Sequence, residues 1–91
     1  MTGFIWGTVV DAAGICIPGA TISIVDGPGA GRQSGQPDEC NAWDSDGFEF
    51  RNLPLDAMVT LRANAPGYQS QERQVRVGNG GPPVVFAPAP Q

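Results

Sequence analysis

Met58-Val59-Thr60-Leu61-Arg62-Ala63-Asn64-Ala65 sets an apolar side chain at every second position: Val59, Leu61, Ala63 and Ala65 share one face, and Thr60, Arg62 and Asn64 the other. A period of two is the repeat of an extended chain, so the stretch predicts a strand with one dry and one wet face. Pro66-Gly67 ends it in a turn. The same alternation recurs along the chain. Phe4 to Val10 puts Ile5, Gly7 and Val9 on one side, which leaves Trp6 off that register and pointing away from the core. After a reversal at Pro18-Gly19, Ala20 to Val25 turns Ala20, Ile22 and Ile24 inward. Gly47 to Leu53 aligns Phe48 with Phe50, and a short strand over Cys40 to Trp43 is expected to meet it through the turn Asp44-Ser45-Asp46-Gly47. Tyr68 to Val77, expected to bulge or to lie at a sheet edge, and Val84 to Phe86 bring the count to seven short strands. Between Asp26 and Asp38 the chain is Gly-rich and then polar without periodicity, which predicts a long irregular loop. The fold class that follows is all-β: a seven-stranded antiparallel β-sandwich.

Composition limits the function classes. The chain has 91 residues, enough for one core, and its 13 Gly and 9 Pro suit many turns between short strands. Residues 1–87 are expected to form a single domain, with Pro88 to Gln91 as a Pro-rich linker or free tail. A formal net charge of -4 lacks the basic footprint that nucleic acid requires, and no apolar run approaches the roughly 20 residues of a membrane-spanning helix. The sequence contains neither His nor Lys. That removes Ser-His and Cys-His nucleophile pairs, imidazole acid–base chemistry, mixed Cys/His zinc sites and Schiff bases, so the expectation is a non-enzyme without cofactor.

Cys16 and Cys40 are too few for a zinc or iron–sulfur site. A disulfide between them is the natural reading, with two unpaired thiols as the alternative. Closing a loop of roughly 25 residues would stabilise so small a fold by about 3.5 kcal/mol in the chain-entropy picture. That pairing carries the expectation of an extracytoplasmic location: secreted, periplasmic or cell-surface. Met1 to Val10 has neither the basic region nor the long apolar stretch of a signal peptide, so the chain reads as an excised domain or as a mature form with an added Met1.

Three groups of side chains are candidate contacts. Asp44 and Asp46, with Asp38, Glu39 and Asn41 nearby, cluster oxygen ligands as a calcium loop does. They miss the EF-hand spacing at Ala42 and lack a closing Glu, so a hairpin turn is the preferred reading and no metal is expected. Trp6, Trp43 and Tyr68 are candidates for an aromatic surface that takes sugar rings, set against packing or contact with a protein partner or neighbouring domain. Arg32, in the Gly-rich loop, is a candidate for an acidic partner, set against a solvated side chain. Arg62, Arg73 and Arg76 are expected to lie outward and pair with Glu49 or Glu72.

Three ordered pieces of the sequence resemble one family. Gly7-Thr8-Val9-Val10-Asp11, Gly14 and Ile17-Pro18-Gly19-Ala20-Thr21-Ile22 are similar to the opening of carboxypeptidase regulatory-like domains. Asp46-Gly47-Phe48-Glu49-Phe50 with Asn52-Leu53-Pro54 resembles their central hairpin, and Ala65-Pro66-Gly67-Tyr68 their later turn. The resemblance implies a prealbumin-like (transthyretin-like) Greek-key sandwich that serves as an accessory module beside other domains. It carries over neither the zinc chemistry of the carboxypeptidases nor hormone binding, for which no matching residues exist. Two features depart from the family. The Cys16/Cys40 pair looks like a trait of one bacterial subgroup, and Asp56-Ala57 stands where the family has a Gly-containing turn. The chain is therefore expected to be a monomeric, non-catalytic interaction module, with carbohydrate binding as the alternative.

Overall fold

Every second side chain of the Met58–Asn64 strand is buried: Val59, Leu61 and Ala63 are almost wholly shielded, while Met58, Arg62 and Asn64 are exposed. The computed structural model describes residues 2–35, 47–79 and 83–91. Among these, the strands are β1 (Thr2–Val9), β2 (Thr21–Asp26), β3 (Gln33–Gly35), β4 (Phe48–Pro54), β5 (Met58–Asn64), β6 (Gln71–Arg76) and β7 (Val84–Phe86), and there is no helix. They form a three-stranded sheet in the order β4-β1-β7 and a four-stranded sheet in the order β3-β2-β5-β6. The inward residues of the two sheets meet in one apolar layer that includes Ile5, Val9, Ile22, Ile24, Phe48, Phe50, Leu61 and Phe86. The Phe48 ring lies 6.1 Å from the rings of Phe50 and Phe86, tilted against both. Each such side chain contributes about 1.5–3 kcal/mol through burial, against a net stability that is small for any domain of this size.

Several expectations need correction. Among the described residues the strand pairings are antiparallel except one, since β7 runs parallel to β1. The cause is the crossover after β6. The chain first touches β1 at Gly78, whose carbonyl accepts from the Phe4 amide in an antiparallel bridge, and then returns to the same edge in the opposite sense at Val84. The segment expected to be an irregular loop contains β3, paired antiparallel with β2. A three-residue edge strand held by backbone bonds needs no apolar alternation, so Gln33-Ser34-Gly35 gave no periodic signal. The strand expected over Cys40 to Trp43 lies outside the described residues. The tail is tied down: the Gln69 amide donates to the Ala89 carbonyl, the Gln91 amide donates to the Gly67 carbonyl, and Pro88 is buried. Proline constrains the tail to an extended form that can lie along a neighbouring segment, which is why a Pro-rich end can dock rather than trail. The edge position expected for Tyr68 to Val77 is met, because β6 borders the four-stranded sheet.

Among the described residues, two non-glycine residues occupy left-handed backbone. Asn52, at φ 60°, is the extra residue of a bulge in β4, where pairing with β1 shifts between Gly3↔Leu53 and Ile5↔Phe50. The bulge turns Leu53 inward although two exposed residues, Arg51 and Asn52, precede it. Asp56, at φ 66°, is the third residue of a turn closed by the Ala57 amide on the Pro54 carbonyl. Such a turn favours Gly at that position.

Candidate functional site

The outward face of β1 carries Phe4 and Trp6, two residues apart and each half-buried. They wall an open cleft of about 490 Å³, completed by Gln74, Val75 and Arg76 of β6, by Pro83 and Val84, and by Asp56 from the turn before β5. The cleft exists because β6 crosses from one sheet to the edge of the other at Gly78, leaving a gap before β7 joins β1. Its walls are aromatic and aliphatic, with the guanidinium of Arg76 and the carboxylate of Asp56 at exposed positions on the rim. That combination can hold an apolar or planar group and hydrogen-bond its polar edge. Trp6 was legible in the sequence as a residue out of register. Phe4 shares its face by the same period of two and could have been found by that signal.

Arg73 closes one end of the cleft. Its guanidinium carbon sits 5.1 Å from the centre of the Phe86 ring, and Nη1 donates to the Val85 carbonyl at 2.9 Å. The residue was expected to point outward toward a carboxylate, but position 73 shares the inward face of β6 with Val75 and Gln71, so its side chain reaches across to β7. Arg62 does pair with Glu72, at 2.6 Å, and Glu49 pairs with Arg51, two residues along its own strand. The hydrogen bond and charge of Glu49 raise the Arg51 guanidinium above its ordinary pKa.

Arg32 folds back onto its own chain. Its guanidinium carbon stacks 5.7 Å from the centre of the Phe50 ring, and Nη1 donates to the Arg51 carbonyl at 2.8 Å. Stacking on an aromatic face while donating to a carbonyl is well suited to the planar guanidinium.

Tyr68 lies apart from Trp6. It lines a shallow concavity with Gly19, Thr21, Asn64 and Gln91 and bridges to Pro90 of the tail. The two aromatics border separate concavities, so the structure does not bring them together as one sugar-binding platform. Trp43, Asp44, Asp46 and Cys40 lie outside the described residues. Cys16 is buried, 5% exposed, and forms an antiparallel bridge with Val10 just beyond β1. Among the described residues no group of three metal-ligating side chains converges, and no helix is long and apolar enough to cross a membrane.

No curated protein matches the chain. The family model of the carboxypeptidase regulatory-like domain matches residues 5–87, from the middle of β1 to the end of β7 and so across every strand of both sheets. The chain belongs to the carboxypeptidase regulatory-like domain family.

Proposed function

We propose that this β-sandwich is a non-catalytic accessory module of a larger extracytoplasmic protein or assembly, which it contacts through the cleft beside Trp6. The observation that carries the reading is the cleft itself: Phe4, Trp6, Val75 and Val84 gather half-buried apolar surface in one place, with Arg73, Arg76 and the carboxylate of Asp56 around it. Apolar surface concentrated around an aromatic anchor is the composition of a contact site. A chain with no His and no Lys is poorly equipped for acid–base or nucleophilic chemistry. The extracytoplasmic part of the proposal rests on the Cys16–Cys40 pairing. Its support is the buried position of Cys16 and the fact that no cysteine is free among the described residues.

A photo-crosslinking residue in place of Val84, introduced in the full-length parent protein, tests the contact. Capture of a flanking domain or assembly partner from this position, and not from Thr60 on the opposite outer face, is the expected result. Equal yields from the two positions would remove the cleft as the contact site.

A further inference from the structure

We propose that two copies of this chain associate edge to edge through β6, joining their four-stranded sheets into one continuous sheet of eight strands. The inference goes beyond the accessory-module reading; Gln74 and Arg76 belong also to the cleft wall, and a test on the isolated chain separates self-association from a contact made in the cleft.

The argument begins with the backbone. Both polar groups of Val77 face β5's side of the sheet: its amide donates to Ala57 and its carbonyl accepts from Asp56. Strand alternation turns Val75 and Arg73 the same way and sends the amides and carbonyls of Glu72, Gln74 and Arg76 to the outer edge. Gly78, next in that outward series, confirms the sense, because its carbonyl reaches away to the Phe4 amide. None of the six outward groups of Glu72, Gln74 and Arg76 is hydrogen-bonded within the described residues. The borders of the three-stranded sheet are partly occupied: on β4, the Ser34 hydroxyl accepts from the Glu49 amide and Arg32 donates to the Arg51 carbonyl, while on β7 Arg73 takes the Val85 carbonyl. An exposed row of unpaired donors and acceptors is a template for another strand.

Charge selects the partner and the register. In an antiparallel pair of β6 strands centred on Gln74, each Glu72 stands directly opposite the other copy's Arg76. Gln74 faces its own counterpart, and the six edge groups of each copy are all paired. Centring on Glu72 or Arg76 would instead oppose like charges, which is destabilising. Arg76 has no ion pair among the described residues, and Glu72, whose Oε2 takes Arg62 of its own copy, keeps Oε1 for a second guanidinium; both residues are exposed on the outer face. The contact is isologous, so it closes at two copies. Six residues per strand make a small interface, and dissociation constants on the order of 0.1–1 mM are expected, in place of the monomer expected from the sequence.

Sedimentation equilibrium over a concentration series tests the proposal with a charge-swap set. Wild-type chain is expected to shift toward dimer as concentration rises. Glu72→Arg alone and Arg76→Glu alone each set like charges across the twofold axis and should weaken association about tenfold or more. An equimolar mixture of those two variants restores opposite charges at both positions and should recover the dimer. Gln74→Pro removes the central amide without touching the ladder to β5 and should also give monomer. Circular dichroism confirms that each variant keeps the fold. A wild type that stays monomeric at its solubility limit overturns the proposal, as do single variants that dimerise like wild type or a mixture that fails to recover.

Discussion

Asn52 and Asp56 show how much a single backbone angle can decide. An L-residue in the left-handed region costs roughly 1–2 kcal/mol, least for Asn and Asp, whose short polar side chains bond locally. At φ 60°, Asn52 is nearly the best non-glycine choice for the β4 bulge. Asn52→Val should therefore lose about 1–2 kcal/mol in urea unfolding, and Asn52→Gly should lie within a few tenths of wild type. A valine variant as stable as wild type would mean that the bulge does not persist in solution. At φ 66°, Asp56 occupies the position where the family resemblance led to expect a glycine. Relief of the left-handed penalty outweighs the added freedom of the unfolded chain, so Asp56→Gly should gain about 0.5 kcal/mol in the same assay. The aspartate was visible in the sequence as a departure from the family. What it does could be seen only once the turn was built, because φ is not written in a side chain.

Strands whose one face is buried announce themselves, and β1, β2, β4 and β5 are legible for that reason: a slip of one residue would expose Ile5, Ile22, Phe48 or Leu61. Elements held by backbone bonds alone leave no such trace, which is why β3 and the docked tail were read as irregular. The cleft was half legible. Trp6 stood out of register, but its opposite wall comes from Val75, Arg76 and Val84, brought there by a crossover that no local pattern encodes. Direction along β6 was misread in the same way: Arg73 looked like a wet residue between Glu72 and Gln74, yet its face is that of Val75. The tail gives a prediction at this scale. Ending the chain at Ala87 removes the bonds from Gln69 to Ala89 and from Gln91 to Gly67. About 1–2 kcal/mol of stability should be lost, and the Gln69 amide should exchange with solvent much faster while amides in the middle of β5 keep their relative protection. Unchanged exchange at Gln69 would show that the tail is not docked in solution.

At the scale of the whole sandwich, the three and four strands among the described residues leave two sides where the sheets are not joined by a strand, and an arginine bridges each. Arg32 reaches from the segment before β3 to β4 and stacks on Phe50, while Arg73 reaches from β6 to β7 and stacks on Phe86. Both carry a guanidinium from the larger sheet to an edge carbonyl of the smaller one, covering a core ring on the way. Lys cannot reproduce the planar stack, so Arg73→Lys should lose about 1 kcal/mol. The proposed covalent tie adds a third restraint. Cys16 is fixed against the end of β1, so a bridge to Cys40 would fasten the β1–β2 connection to the segment that precedes β4. Reduction would then leave the strands in place and release the unfolded chain. The stability lost is about 3.5 kcal/mol, which for a domain of this size lowers the melting temperature by on the order of 15–25 °C. Thermal unfolding with and without reductant, on protein produced in an oxidising compartment, measures this directly. Coincident melting curves, with both thiols alkylated before reduction, would remove the bridge and with it the argument for an extracytoplasmic setting; a large shift would make the covalent tie the strongest single restraint among those proposed for the molecule.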